Sequence, residues 1–425
     1  MRIDEDKVAD LLRRLDDEPT RPPRVDLAGA IGEARRRRRN RRATAAGAAA
    51  LGVLAVAVLP VALNGVDRAA PAPATSTGPS TPSPKPRPSG PWQGVCTAAL
   101  LPGSEEAAGS EVTAGDPDGR WLVGRLTMHD FRDYRLLIWE GNRVREIAIP
   151  GEDQQLRDVN RAGLAVGATG RSLKLSQPWA VRDGEAIRLP GVSSGSAAAV
   201  NDAGRIVGFR NEEDGREVWT QQRPVIWDSP EAPAVDLPLP GPGWAGSAID
   251  IDEDGTILAR MADMTDAADG RQPQRAVIWR PGATRPEVLP LPQLPGGTTV
   301  DFMPLSLAGG WVTGMAYREK QPGKPGSARQ EYLARIDLRT GKADLLPAVV
   351  LAGTGNARGW QAGTISGTGN GTAVVTDTKL VRLPGLDGTT ASGDGWVKSL
   401  SDDGRVLGGQ LFQNERGHAV RWTCR

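Results

Sequence analysis

Asp250, Asp252 and Asp254, followed at once by Gly255, have the spacing with which an oxygen-ligand loop folds carboxylates around one calcium ion. Position twelve of such a loop, where an EF-hand needs Glu, is Met261. The same turn elsewhere reads Asn201-Asp202-Ala203-Gly204, which is no ligand set. The three aspartates are therefore candidate calcium ligands, with an acidic form of a repeated turn as the competing reading; no other cofactor is expected. The two histidines offer less. His129 lies in a variable loop without a nucleophile partner, and His418 stands where other copies of a repeat have Pro178, Pro224 and Arg275. Neither belongs to a zinc-type cluster. Cys96 and Cys424 are the only cysteines, and no motif names a reaction.

The elements that must position these groups repeat seven times. Each unit has a short apolar stretch, a turn ending in Gly, a strand ending in Gly, a variable loop, a strand often ending in Trp, and a run ending in Leu-Pro. The clearest copy is Asn201-Asp202-Ala203-Gly204-Arg205-Ile206-Val207-Gly208, then Pro224-Val225-Ile226-Trp227, then Leu237-Pro238. Other turns carry Gly119, Gly163, Gly255, Gly310 and Gly404, and the sixth unit is read with Gly363 as its turn glycine. Gly119 to Gly404 gives a period of about 47 residues, that of a four-stranded propeller blade. A single four-stranded sheet cannot bury both faces, so the blades stack in a ring. The expected fold is an all-β, seven-bladed β-propeller over residues 92–425.

Unit seven stops after its third strand, at Trp422-Thr423-Cys424-Arg425. The missing fourth strand is Cys96-Thr97-Ala98-Ala99-Leu100-Leu101-Pro102, with the same Leu-Pro ending. The N-terminal strand thus closes the last blade, and Cys96 and Cys424 become neighbours within disulfide reach, Cα atoms about 4.4–6.8 Å apart. The recurring Trp139, Trp227, Trp279 and Trp422 are expected in the core between blades. The repeat resembles the HAF-type extracellular repeat of bacterial surface proteins, through Gly417-His418-Ala419-Val420-Arg421-Trp422 and Asn201 to Gly208. That resemblance implies a surface propeller and no particular activity. Sialidase-type Asp boxes fit less well: they place the acid two residues before the Gly, whereas Asn160, Asn201 and Asp252 stand three before it.

Ahead of the propeller, residues 1–42 form a cytoplasmic stub of two helical pieces with seven arginines in 35–42. Residues 43–63 are uncharged and, at about 1.5 Å each, reach roughly 30 Å, enough for one transmembrane helix. The arginines hold their flank in the cytoplasm. Residues 64–91 are a Pro/Ser/Thr-rich linker, a semi-extended spacer. The stub resembles N-terminal segments of actinobacterial single-pass proteins, some of which bind sigma factors. It lacks the His and Cys of a zinc-type anti-sigma module.

Lys+Arg numbers 52 and Asp+Glu 51, so no global charge bias points to nucleic acid. The function expected is a membrane-anchored, single-pass extracellular propeller, non-catalytic, binding a protein or cell-wall partner. The alternatives are a transmembrane regulator whose stub binds a cytoplasmic factor such as a sigma factor, and an extracellular hydrolase with an acidic site. The loops between second and third strands vary most, and they share one end of the ring. Phe131, Tyr134, Arg216, Trp219, Tyr317 and Arg318 on those loops are the candidate binding residues.

Overall fold

Seven four-stranded antiparallel sheets follow one another along the chain. The structure is a computed structural model that describes residues 91–425 apart from 104–107, 129–133, 171–174, 213–221, 266–271, 320–328, 349, 366–370, 389–394 and 415. The expected stub, membrane span and all but the last residue of the linker lie outside the described residues. Among the described residues no helix is long and apolar enough to cross a membrane. The innermost strands of blades 1 to 7 are Gly109–Gly115, Gln155–Val159, Gly195–Val200, Trp244–Ile251, Thr299–Ala308, Val350–Gly355 and Gly395–Leu400. Each lies against the next, and the seventh lies against the first, so the ring is closed.

The core sits in the seams. Seven apolar clusters each join two adjacent blades, the last joining blade 7 to blade 1. The two ends of the repeat phrase meet there. Trp139, Trp227, Trp279 and Trp422 are buried, as expected. Their indole N–H groups donate to the carbonyls of Pro102, Pro190, Pro238 and Pro384, at 2.9, 2.8, 3.0 and 2.8 Å. Each proline closes the fourth strand of the preceding blade. A buried indole needs an acceptor, and a Leu-Pro segment places a carbonyl where it is wanted.

Blade 7 is completed by Cys96–Leu100, which pairs with Arg416–Cys424 in the register Cys96↔Cys424. The two cysteines form a disulfide. Their Cα atoms are 4.0 Å apart, slightly below the range expected, because the residues stand directly opposite on paired strands.

The sixth unit needs a correction. Its turn is Asn356-Ala357-Arg358-Gly359, and Gly359, not Gly363, has the left-handed backbone (φ 69°) of the other turn glycines. Gly363 lies within the second strand, Gln361–Ile365. Blade 6 is complete, with Val350–Gly355, Gln361–Ile365, Thr372–Val375 and Leu380–Arg382 paired in order.

Candidate functional site: the axial channel

Every innermost strand carries a β-bulge at the same level. The pairing with the second strand shifts between Val112 and Ala114, Leu156 and Asp158, Ala197 and Ala199, Ala248 and Asp250, Pro304 and Ser306, Leu351 and Thr354, and Val397 and Ser399. A bulge re-aims a side chain and twists its strand. In six blades the extra residue is Thr113, Arg157, Ala198, Ile249, Leu305 or Lys398. All six line one cavity of about 400 Å³ bounded by all seven innermost strands. The bulge also explains the second glycine of the phrase. A Cβ on Gly124, Gly167 or Gly208 would stand 2.0 Å from the carbonyl oxygen of Glu111, Gln155 or Ser196 on the bulged strand.

Just beyond the bulge, three blades use the next side chain as a brace. Asp158 accepts the Val200 N–H at 2.8 Å, Asp250 accepts the Leu307 N–H at 2.7 Å, and the Ser306 hydroxyl accepts the Gly355 N–H at 2.9 Å. Each bond crosses to the innermost strand of the next blade. Burial raises the carboxyl of Asp158 well above the usual range, and the charge of Asp250 adds to this. Burial pushes Asp250 up to about 7 against the backbone N–H groups that favour its charged form.

The short turns form a belt around one end of the channel. Asn160 holds its own turn by accepting the Ala162 and Leu164 N–H groups, and its amide donates to the Asn201 carbonyl of the next blade at 2.9 Å. Asn201 repeats this toward Asp252, and Asn356 toward Ser401. Blade 5 has Ala308 at this position, with no side chain to contribute. Asp252 compensates from blade 4: its carboxylate accepts the Gly309 and Gly310 N–H groups at 3.0 and 2.7 Å, and Glu253 N–H at 2.9 Å.

Arg161 of blade 2 gathers this belt. Its guanidinium pairs with Asp118 at 3.3 Å, Asp202 at 2.5 Å, Glu253 at 3.2 Å and Asp402 at 3.2 Å. These acids come from blades 1, 3, 4 and 7. A side chain from blade 2 meets blades 4 and 7 together only near the axis. Partial burial opposes its charge, and the surrounding carboxylates overcome that and hold the guanidinium above its ordinary range.

The candidate calcium residues can now be placed. Asp250 braces blade 5, Asp252 holds the blade 5 turn, and Asp254 accepts the Thr256 N–H at 2.7 Å. Their carboxylates are directed at backbone amides of two blades. No group of three or more His, Cys, Asp or Glu side chains able to hold a metal ion occurs among the described residues. His418 is half-buried on the last strand opposite Leu411.

Of the candidate binding residues, Phe131, Arg216 and Trp219 lie outside the described residues, as does His129. Tyr134, Tyr317 and Arg318 stand at the variable-loop ends of their strands, in blades 1 and 5. Arg125 lies 4.5 Å over the Tyr134 ring, Arg329 lies 5.7 Å from the Tyr317 ring, and Arg318 donates to Gln330 at 2.5 Å. The sequence reading missed Arg157, Arg161, Lys398 and Trp396. Trp396 is 43% exposed, meets Phe412 edge-on at 5.6 Å, and has the Lys398 ammonium 5.8 Å from its ring. The signal for Arg157 and Lys398 was available: they occupy one position of the aligned repeat, three residues before the turn's Asn or Ser.

No family model matches the chain, and no curated protein matches it. Solved structures do. An oligogalacturonate lyase in complex with manganese aligns with TM-score 0.50 and 12% identity, over 78% of this chain and 91% of that one. The likeness is one of fold. The propeller domain of the Trilobed protease from Pyrococcus furiosus gives TM-score 0.49 and 14% identity over 74% and 95% of the two chains. The Pyrococcus horikoshii acylaminoacyl peptidase gives 0.47 and 13%, with 75% of this chain covering 52% of the peptidase.

Proposed function

We propose that this chain is a tethered, non-catalytic binding propeller of the cell envelope, facing a protein or cell-wall partner with its variable loops. One observation carries the reading: the acids nearest the axis are part of the frame. Hydrolysis by paired carboxylates needs one acid poised to give a proton and a second free to attack or to activate water. Asp158 and Asp250 are each bonded to the backbone of the next blade, and Asp118, Asp202, Glu253 and Asp402 share Arg161. In this reading residues 43–63 anchor the chain with its N-terminus in the cytoplasm, and the HAF-type likeness of the repeat fits an extracellular surface domain. Cys96 opens its strand at the short-turn end, and in this reading the variable loops at the other end face the partner.

Proximity labelling from the C-terminus of the full chain in its native envelope tests this. Alanine at Phe131, Tyr134, Arg216, Trp219, Tyr317 and Arg318 is expected to weaken binding of the labelled partner, and Asp202→Ala to leave it unchanged. The reverse pattern assigns the surface to the other end, and turnover of the captured partner overturns the non-catalytic reading.

A further inference from the structure

We infer that the axial cavity binds an amphiphilic carboxylate, a small molecule or chain end in which one carboxylate is joined to an apolar group. This rests on the binding reading above and names a ligand class for the channel.

The bulge residues divide the cavity wall into two arcs. Blades 7, 1 and 2 present Lys398, Thr113 and Arg157; blades 3, 4 and 5 present Ala198, Ile249 and Leu305. The Thr113 hydroxyl is already spent on the Leu156 carbonyl at 2.6 Å, so the polar arc offers two cations. Arg157 makes no hydrogen bond or ion pair among the described residues, and Lys398 makes no ion pair there. The contrast is with Arg125, Arg161, Arg210 and Arg335, which are all paired with carboxylates. Arg157 is exposed at the lumen, and the protein packed around it pulls its guanidinium below the ordinary range, with Arg125 and Arg260 adding to the effect. Its nearest acid in charge terms, Asp153, also contacts Arg125, at 3.5 Å.

An unpaired guanidinium on a cavity wall is free to meet an anion, and its planar fork fits a carboxylate edge. Ala198, Ile249 and Leu305 remain partly exposed opposite it, and apolar surface facing a lumen gains free energy when a ligand covers it. The cavity volume lies in the range of small-molecule sites. Asp158 and Asp250 border the same space, but burial drives both toward their neutral forms. The acids of the belt share Arg161. Arg157 and Lys398 are the cations of this lining, and both lie on the arc where the ligand's carboxylate would sit.

The test is isothermal titration of the purified full chain with 4-phenylbutyrate, beside 4-phenylbutyramide, acetate and inorganic phosphate. Phenylbutyrate is expected to bind at least tenfold tighter than each of the other three. Arg157→Gln is expected to cost at least tenfold and Lys398→Met several-fold, both with unchanged melting temperature, since neither side chain is bonded to the frame. Equal binding of the carboxylate and its amide overturns the inference, as does an unaltered affinity in Arg157→Gln. Phosphate binding as well as phenylbutyrate overturns the amphiphilic part in favour of a plain anion site. If phenylbutyrate fails while the envelope partner still binds, the ligand class falls and the binding reading stands. If phenylbutyrate binds while the partner is turned over, the non-catalytic reading falls and the ligand class stands.

Discussion

Replacing Arg161 by Gln tests whether the turn belt is held electrostatically at the axis. The substitution keeps most of the side-chain length and removes the charge. It leaves Asp118, Asp202, Glu253 and Asp402 converging with no cation between them. Arg161 and these acids are each between 32% and 41% exposed, so the deep-interior limit does not apply. Partly exposed pairs contribute about 0.5–1 kcal/mol each, and four of them give roughly 2–4 kcal/mol. For a domain of this size 1 kcal/mol moves the melting temperature by roughly 1.5 °C, so calorimetry should find a drop of about 3–6 °C. Two controls isolate the cause. Half-molar salt screens the uncompensated carboxylates and should shrink the deficit. Lowering the pH toward 5 should do the same, because burial raises the carboxyls of Glu253 and Asp402 and they take up protons early. A drop below 1 °C, or a deficit indifferent to salt and pH, would refute the account of Arg161 as the charge centre of the belt.

Three further outcomes follow from named contacts. Replacing both cysteines by Ser opens a closure of 328 residues in sequence separation, worth at most about 5–6 kcal/mol in the chain-entropy model; hydrogen exchange should speed up in Cys96–Leu100 and Arg416–Cys424 and leave blades 2 to 5 unchanged. Trp422→Phe removes the bond to Pro384 and strands a buried carbonyl, at about 1–3 kcal/mol by denaturant unfolding. Asp250 binds its proton more tightly folded than unfolded, with a folded value of about 7, so it favours the fold at low pH and this contribution is lost as pH rises from about 4 through 7; Asp250→Asn should flatten that decline in melting curves taken between pH 5 and 8.

How much of this could be read from the sequence depends on whether the feature repeats. Gly119, Gly163, Gly204, Gly255 and Gly404 mark turns that need a left-handed residue, and that requirement recurs in every blade. The Trp and Leu-Pro ends are visible because one contact joins them seam after seam, although their partnership across the seam was not. Closure and the Cys96–Cys424 pair followed from counting strands. The bulges were hidden, because a one-residue slip in an apolar strand leaves no mark in composition. Its trace is Gly124, Gly167 and Gly208 on the opposite strand, which read as strand endings until the approach of the carbonyl is known. The bracing by Asp250 and Asp252 was not legible either, because a carboxylate aimed at a neighbouring blade's amides has the same spacing along the chain as one aimed at a cation.

The division between constant and variable positions also bears on what the channel is for. The turn residue is Asp116, Asn160, Asn201, Asp252, Asn356 or Ser401, and in each case it caps its turn or ties it to a neighbour. Three residues earlier five of the same strands carry Thr113, Arg157, Ala198, Ile249 and Lys398, which range from cationic to apolar although they occupy equivalent places. A frame built by repetition needs a similar interaction at each seam, and so the capping position is polar in six blades, with Asp252 serving the Ala308 blade as well. A cavity wall has no such need, and a ring of identical side chains would give its contents no orientation. Placing the cations on blades 7 and 2 and the apolar groups on blades 3 to 5 breaks the sevenfold symmetry at the axis, where a ligand smaller than the ring would meet it.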